Sequence, residues 1–180
     1  LDSKHTGQEA LRVFVNTVLA QSWEEDEGDG IETNDLLARA VNYETPLPDS
    51  SIGVLCASAD VQADRIETLV CGYSNSQTYV VGFQIFYGSP TSESLWLEVE
   101  EYLKTTWEHP SGQDLRITRS FIDSGYETGA VYNFCRKLES LGVRAIKGVG
   151  GSNRAEIGRP TKNNTSRCNV FPLGVNTLKT

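Results

Sequence analysis

Three strand-like segments follow one another within residues 52–88, and the links between them are very short. The segments are "IGVLCASADV", "DRIETLVCGYS" and "QTYVVGFQIFYG", which are rich in β-branched and aromatic residues. The links, around residues 62–64 and through "SNS" at 74–76, have the length of hairpins. A parallel pair of strands needs a crossover of about a dozen residues or more. The three segments must therefore form antiparallel strands.

The pattern changes after residue 88, where helical and strand-like segments alternate. Apolar side chains recur at helical spacing over 92–109 and again over 128–142, and Gly142 is suited to end the second helix. Strand-like runs occupy 115–123 and 143–148. The predicted order is β-β-β-α-β-α-β. We therefore predict an α/β fold with a mixed sheet (three antiparallel strands, then αβαβ) and flanking helices, which is the order of the ribonuclease H-like fold.

The two ends of the chain are less regular. Residues 8–20 and the segment "TNDLLARAVNY" have helical spacing, and the acidic, glycine-containing stretch between them is typical of a linker. Residues 148–168 show no period and predict a long loop, and "NVFPLGV" predicts a last strand. We therefore assign residues 1–50 to a helical segment with an acidic linker and residues 51–180 to the ribonuclease H-like domain.

The formal net charge of −8 argues against DNA binding through a broad basic face, but the charge is uneven. Residues 136–167 contain eight Lys or Arg side chains, which could face phosphate or belong to a solvated loop. The chain contains no methionine, so we expect a piece of a longer protein. No apolar run approaches the roughly 20 residues that span a bilayer. The spacing of the four cysteines predicts reduced thiols and no zinc site.

Two aspartates stand at strand ends. Asp60 lies near the end of the first strand, and Asp123 ends the fourth. In the predicted topology these strands are neighbours, so the carboxylates would meet at one sheet edge, where a divalent cation would offset their repulsion. Asp123 in "DSGY" also fits a simple turn residue, whereas Asp60 would bury an unpaired carboxylate. Asp64 fits either a third ligand or, preferably, a hairpin residue.

Other catalytic arrangements are absent from the sequence. The two histidines have no nucleophile pattern around them, and no GxxxxGK[ST] loop occurs. The glycine-rich "KGVGGSN" does not open a helix and favours a flexible loop over a phosphate cradle.

Several blocks in combination resemble the large terminase subunit of tailed bacteriophages of the lambda type. These blocks are "FVNTVLAQSW", "ADVQADRIETLVCGY", "FIDSGYETGAVYNFCRK", "AIKGVGG" and "LGVNTLK", and the likeness covers nearly the whole chain in the same order. The resemblance implies the nuclease part of a packaging motor, entered through an inter-domain segment at residues 1–50.

The resemblance also implies a mechanism and a site. Asp60 and Asp123 match the first two acidic metal ligands of the family, and Lys147 matches a basic position that contacts phosphate or merely ends a strand. The implied cofactor is Mg²⁺ or Mn²⁺ in a two-metal site, acting on concatemeric double-stranded DNA. The implied partners are an N-terminal packaging ATPase domain, the small terminase subunit and the portal, with no membrane, in the cytoplasm of the bacterial host.

Two departures from the family pattern keep alternatives open. The third acidic ligand would lie beyond Thr180, which leaves the 51–180 domain truncated and its site incomplete, and Asn176 stands where relatives often have Asp. The first alternative is another ribonuclease H-like enzyme, such as an integrase or a junction resolvase. The second is a docking module of the packaging motor with a degenerate site.

Overall fold

The computed structural model describes Ala38, Ala40 and residues 47–179. The chain divides into two units between Asn42 and Tyr43, and residues 47–179 all belong to the second. The helices predicted at 8–20 and over "TNDLLARAVNY", and the acidic linker between them, lie outside the described residues apart from Ala38 and Ala40. The domain boundary at residues 50 and 51 therefore stays a prediction.

The described part of the chain contains one sheet of eight strands. In chain order they are β1 (Val54–Val61), β2 (Arg65–Tyr73), β3 (Thr78–Tyr87), β4 (Thr106–Glu108), β5 (Asp114–Asp123), β6 (Val143–Val149), β7 (Thr161–Lys162) and β8 (Asn169–Gly174). Within residues 47–179, three α-helices accompany them: α1 (Glu93–Leu103), α2 (Thr128–Lys137) and α3 (Val175–Leu178).

The strand order confirms the predicted fold class. The sheet runs β3-β2-β1-β5-β6-β8-β7, and β4 pairs with β5 outside this path. The first three strands are antiparallel, whereas β1–β5, β5–β6 and β6–β8 are parallel pairs. The backbone N–H of Gln62 donates to the carbonyl of Arg65 at 2.9 Å, which closes a two-residue hairpin loop. The first strand therefore lies near the centre, as a ribonuclease H-like sheet requires.

One face of the sheet carries the core. Alternate residues of β1 from Leu55 to Val61 are buried, and the residues between them are half-buried or exposed. Helices α1 and α2 supply the other layer, and Trp96 of α1 packs against Phe134 of α2 with ring centroids 4.6 Å apart. We call the sheet face that carries Asp60 and its alternating neighbours, away from these helices, the open face.

The helix predicted over 92–109 ends early, and that prediction is wrong beyond Leu103. Residues 106–108 instead form β4, which pairs with the start of β5. A Cβ atom at Gly82 on β3 would lie 2.5 Å from the Trp107 indole, so glycine at this position makes room for the ring. Trp107 therefore packs against Gly82, a residue distant in sequence. This tertiary contact outweighs the helical spacing of the apolar residues that predicted a longer helix.

The second helix, predicted over 128–142, is shorter than predicted because it ends at Lys137. A 3-10 turn over Glu139–Leu141 follows it. Gly142 then adopts φ 84°, and a Cβ atom there would lie 2.5 Å from the carbonyl oxygen of Thr118. Both facts require glycine, and they confirm Gly142 as the residue that ends the helical segment. The loop predicted over 148–168 contains β7, and the last strand is present as β8.

Candidate metal centre

Asp60 and Asp123 lie at the same level of two neighbouring parallel strands. Ala59 of β1 is the register partner of Ile122 of β5, and each aspartate is the next residue along its strand. Because Ala59 and Ile122 are both buried on the helix-covered side, alternation places both carboxylates on the open face. Neighbouring strands are about 4.8 Å apart, so a single small cation could contact both side chains.

Asp60 is exposed, which corrects the expectation of a buried carboxylate. It belongs to β1 as predicted, but its side chain leaves the sheet on the open face. The side-chain amide of Gln62 donates a hydrogen bond to its Oδ2 atom at 3.0 Å. Water therefore reaches the carboxylate, and its other oxygen accepts no hydrogen bond from a described residue.

Asp123 is half-buried and combines two roles. The backbone N–H of Gly125 donates to its Oδ1 atom at 3.1 Å, which makes the turn that follows β5. Its Oδ2 atom has no hydrogen-bond partner among the described residues. The Ser124 hydroxyl donates to the Ile146 carbonyl at 2.7 Å and ties this strand end to β6. The turn and a ligand role use different oxygens, so one does not exclude the other.

A third carboxylate, not singled out from the sequence, lies opposite Asp60. Glu67 of β2 is the register partner of Asp60 and shares its face. Its Oε1 atom accepts a hydrogen bond from Arg65 Nε at 2.7 Å, and Arg65 also contacts Asp64 at 2.8 Å. The signal was present in the hairpin, because a two-residue loop at 63–64 fixes the register and hence the partner of Asp60.

The remaining acidic candidates do not complete a cluster. Within residues 47–179, no group of three or more His, Cys, Asp or Glu side chains is arranged to hold a metal ion. Asp64 lies in the hairpin loop as preferred from the sequence, and its side chain is paired with Arg65. The described residues therefore bring together two carboxylates, with a third committed to an arginine.

Lys147 lies at the same edge of the sheet as Asp123. Its neighbour Ile146 is the register partner of Asp123, and Lys147 itself is exposed. Alternation directs the Lys147 side chain to the face opposite the two aspartates. The ammonium group is thus near the strand ends but does not share the open face with the carboxylates.

Asn176 anchors the segment that follows β6. Its side-chain Oδ1 atom accepts a hydrogen bond from the backbone N–H of Gly151 at 3.2 Å. The Thr177 hydroxyl donates to the carbonyl of Arg154 at 2.8 Å. These contacts hold residues 151–154 beside α3, at the carboxyl ends of β6 and β8.

The cysteines provide no competing nucleophile. All four are free thiols, as predicted. Cys56 and Cys71 are register partners across β1 and β2, and burial raises the pKa of both thiols. Burial also raises the pKa of Cys135 and Cys168. All four thiols therefore stay protonated at neutral pH, and a protonated thiol is a weak nucleophile.

Comparisons with known proteins give a consistent result at the level of sequence. Residues 2–180 match the family described as "Terminase large subunit gpA, endonuclease domain". The large terminase subunit of Escherichia phage lambda is 28% identical over 170 residues, which cover 93% of this chain and 26% of that protein. The large terminase subunit of an Enterobacteria phage is also 28% identical, over 94% of this chain and 26% of its own length. The chain thus spans about a quarter of these relatives.

Among solved structures, the large terminase of a thermophilic bacteriophage aligns with a TM-score of 0.39 and 14% identity, over 57% of this chain and 25% of that one. A Ppx/GppA family protein of Aquifex aeolicus aligns with a TM-score of 0.33 and 14% identity, over 52% of this chain and 35% of that one. In the described residues, no helix is long and apolar enough to cross a membrane.

Proposed function

Because this chain belongs to the endonuclease-domain family of the phage terminase large subunit, we propose that it hydrolyses phosphodiester bonds of double-stranded DNA with Asp60 and Asp123 as metal ligands. The observation that carries the proposal is the register of β1 and β5. It puts two carboxylates from distant parts of the chain at one level and on one face.

The donor set fits Mg²⁺ or Mn²⁺. Both side chains offer only oxygen, which these hard cations prefer, and Mg²⁺ is commonly held by one or two carboxylates together with water and substrate phosphate. When bound, two such ions supply a water of lowered pKa and offset the charge on the attacking and leaving oxygens. Asp60 and Asp123 would hold them.

The surrounding residues orient the two carboxylates. The Gln62 amide, by its bond to Oδ2 of Asp60, restricts the rotation of that side chain. The N–H of Gly125 does the same for Asp123 through Oδ1, which leaves Oδ2 without a hydrogen-bond partner among the described residues. The exposure of Asp60 leaves room for a phosphate group to approach from the open face. Lys147, whose side chain lies on the opposite face at the neighbouring strand end, would contact only a phosphate that extends past the edge of the sheet.

The setting within a larger protein is part of the same proposal. The chain spans about a quarter of its relatives, and we propose that it acts in the same kind of DNA-packaging machinery. We assign the substrate to concatemeric phage DNA, and the partners to a packaging ATPase domain, the small terminase subunit and the portal, in the host cytoplasm. Family membership leaves no reason to prefer an integrase or a junction resolvase.

A second candidate is a docking module of the packaging motor without nuclease activity. The specific observation in its favour is that residues 47–179 offer no third ligand beside Asp60 and Asp123. A site with two protein carboxylates binds cations weakly unless a phosphate adds further oxygens. The two candidates therefore differ in whether the chain itself binds a divalent cation and cuts.

The test combines cleavage with a binding readout. The purified chain and its Asp60→Asn variant are incubated with supercoiled plasmid and Mn²⁺, and their melting temperatures are measured with and without the ion. We expect nicking and an ion-dependent rise in melting temperature in the wild type, both lost in the variant. A wild type with neither nicking nor a shift favours the docking module.

A further inference from the structure

The charges of this chain are separated along its sequence. Residues 140–180 contain seven Lys or Arg side chains and a single acidic one, Glu156, so their net charge is +6. Because the whole chain carries −8, the first 139 residues carry −14. In a protein that is acidic overall, a basic stretch of this kind is a candidate surface for binding anions.

Four of these cations lie in the segment between β6 and β8, and a fifth, Lys147, lies in β6 itself, two residues before that strand ends. We call them the basic edge: Lys147, Arg154, Arg159, Lys162 and Arg167. All five are exposed. Within residues 47–179 none of them forms an ion pair, whereas Arg65, Lys104 and Lys137 each pair with a carboxylate. The basic edge is therefore a set of unneutralised charges that repel one another.

The backbone fixes where the basic edge begins. The N–H of Gly174 donates to the carbonyl of Glu156 at 3.0 Å, and Ile157 forms a bridge with Leu173. A Cβ atom at Gly174 would lie 3.2 Å from the Cβ of Arg154. Arg154 thus lies against the carboxyl end of β8, two strands from Asp123 in the sheet order. That lateral separation is roughly 10 Å.

From Arg154 the segment runs back along the outer side of β8. Thr161 pairs with Val170 and Lys162 with Asn169, both antiparallel. The bridge at Ile157 and the pairing of Thr161 and Lys162 therefore place Arg154, Arg159 and Lys162 one after another along the outer edge of the sheet, over at most roughly 26 Å. On the other side of Asp60, the strand ends carry Asp64 and Glu67 instead.

We propose that the basic edge binds the phosphate backbone of DNA on one side of the scissile phosphate, so that the duplex leaves the Asp60–Asp123 site toward β8 and not toward β2. This inference rests on the proposed function, because it takes the two aspartates as the point of cleavage. Exposed guanidinium groups form bidentate contacts with phosphate oxygens, and Arg154 keeps its two Nη groups for such a contact while its Nε donates to the carbonyl of Gly150 at 2.6 Å. Their line along a rim suits successive phosphates of one strand.

The acidic residues at the β2 side of the site favour a DNA path toward β8. A phosphate backbone that crossed β2 would meet Asp64 and Glu67, for which Arg65 is the only ion-pair partner within residues 47–179. Binding at the basic edge instead relieves the repulsion among unpaired cations and releases counterions from the DNA. Contacts of this kind depend on charge and spacing and carry no base specificity.

The test is DNA binding as a function of salt. A fluorescently labelled duplex is titrated with the 180-residue chain in EDTA, which prevents cleavage, at several salt concentrations. The variant is the double charge reversal Arg154→Glu with Arg159→Glu. We expect its affinity to fall at least about tenfold and the slope of log affinity against log salt to decrease in magnitude by about 2.

A matched control separates a local contact from a general change in charge. Arg116 and Arg136 are also exposed and unpaired among the described residues, and they lie near the start of β5 and the end of α2, away from Asp123. Reversing both changes the net charge equally, and we expect affinity within about twofold of wild type. Equal losses in both double variants, or no binding by the wild type, would overturn the inference.

The same samples distinguish this inference from the proposed function. If the chain binds DNA through the basic edge but its nicking with Mn²⁺ is unchanged by Asp60→Asn, the DNA path stands and the proposed catalytic site is wrong. If Asp60→Asn abolishes nicking while reversal of Arg154 and Arg159 leaves binding unchanged, the catalytic site stands and the DNA path is wrong.

Discussion

Asp60 on β1 is the direct register partner of Glu67 on β2. The two carboxylates share the open face, and an arginine on the same strand holds Glu67. This arrangement raises a question that a substitution can answer, namely whether Glu67 belongs to the metal site or only neighbours it.

The variant Glu67→Gln should keep the activity of the site. Because Arg65 already engages the carboxylate, we expect nicking within about threefold of wild type and a preserved shift of melting temperature with Mn²⁺. Plasmid nicking and thermal melting measure both. A loss as complete as that of Asp60→Asn would instead make Glu67 a third ligand.

The variants Asp60→Asn and Asp123→Asn should abolish nicking without harming the fold. Each removes one of two like charges that lie on neighbouring strands, so the metal-free protein should become more stable by something on the order of 1 kcal/mol. Chemical unfolding in EDTA measures this directly. A sharp decrease in the free energy of unfolding in both variants would contradict the paired-carboxylate arrangement.

Glu100 of α1 should make stability depend on pH. Its carboxylate accepts hydrogen bonds from Lys104 and from Lys137 of α2, and these partners hold its pKa below the usual value of 4.5. A lowered pKa means that the stabilisation is complete above pH 4.5 and is lost as the pH falls further.

Replacement of Glu100 by Gln should therefore cost about 1 kcal/mol at pH 7 and flatten the decline of stability below pH 4.5. Urea unfolding of both proteins at pH 7 and pH 3.5 tests this expectation. The idea fails if the difference between the two proteins is as large at pH 3.5 as at pH 7.

Gly142→Ala should be strongly destabilising. The residue has φ 84°, and an added Cβ atom would meet a backbone oxygen at 2.5 Å, so we expect a loss of about 2 kcal/mol in the free energy of unfolding. Gly129→Ala is the matched control, because it lies in α2 with nothing within 4 Å of an added Cβ. That change should stabilise the protein by up to about 1 kcal/mol. Denaturant midpoints of the two variants should therefore move in opposite directions.

Local chemistry accounts for the parts of the fold that could be predicted. The short links at residues 62–64 and 74–76 force antiparallel neighbours whatever else the chain does, and the structure has them. The end of α1 could not be predicted in this way. Nothing in "LKTTWEH" breaks a helix, and the decisive contact of Trp107 is with Gly82, on another strand.

The candidate site could also be predicted only in part. Asp60 and Asp123 were found because each stands at a strand end, and the fold makes those strands neighbours. The exposure of Asp60 was missed because alternation separates a strand into two faces without saying which face the helices cover. The position of Glu67 follows from the register of the β1–β2 hairpin and not from the end of a strand, so the strand ends alone do not predict it.

The parallel pairing of β1 with β5 also bears on how the protein reaches its native state. β1, β2 and β3 are joined by tight links, so they can associate early through contacts that are local in sequence. The β1–β5 pair joins segments more than sixty residues apart, and such long-range contacts close late because of their entropic cost. We therefore expect Asp60 and Asp123 to meet after β1, β2 and β3 have associated. A cation that bridges them would recognise the finished sheet and would not assist the chain at earlier stages of assembly.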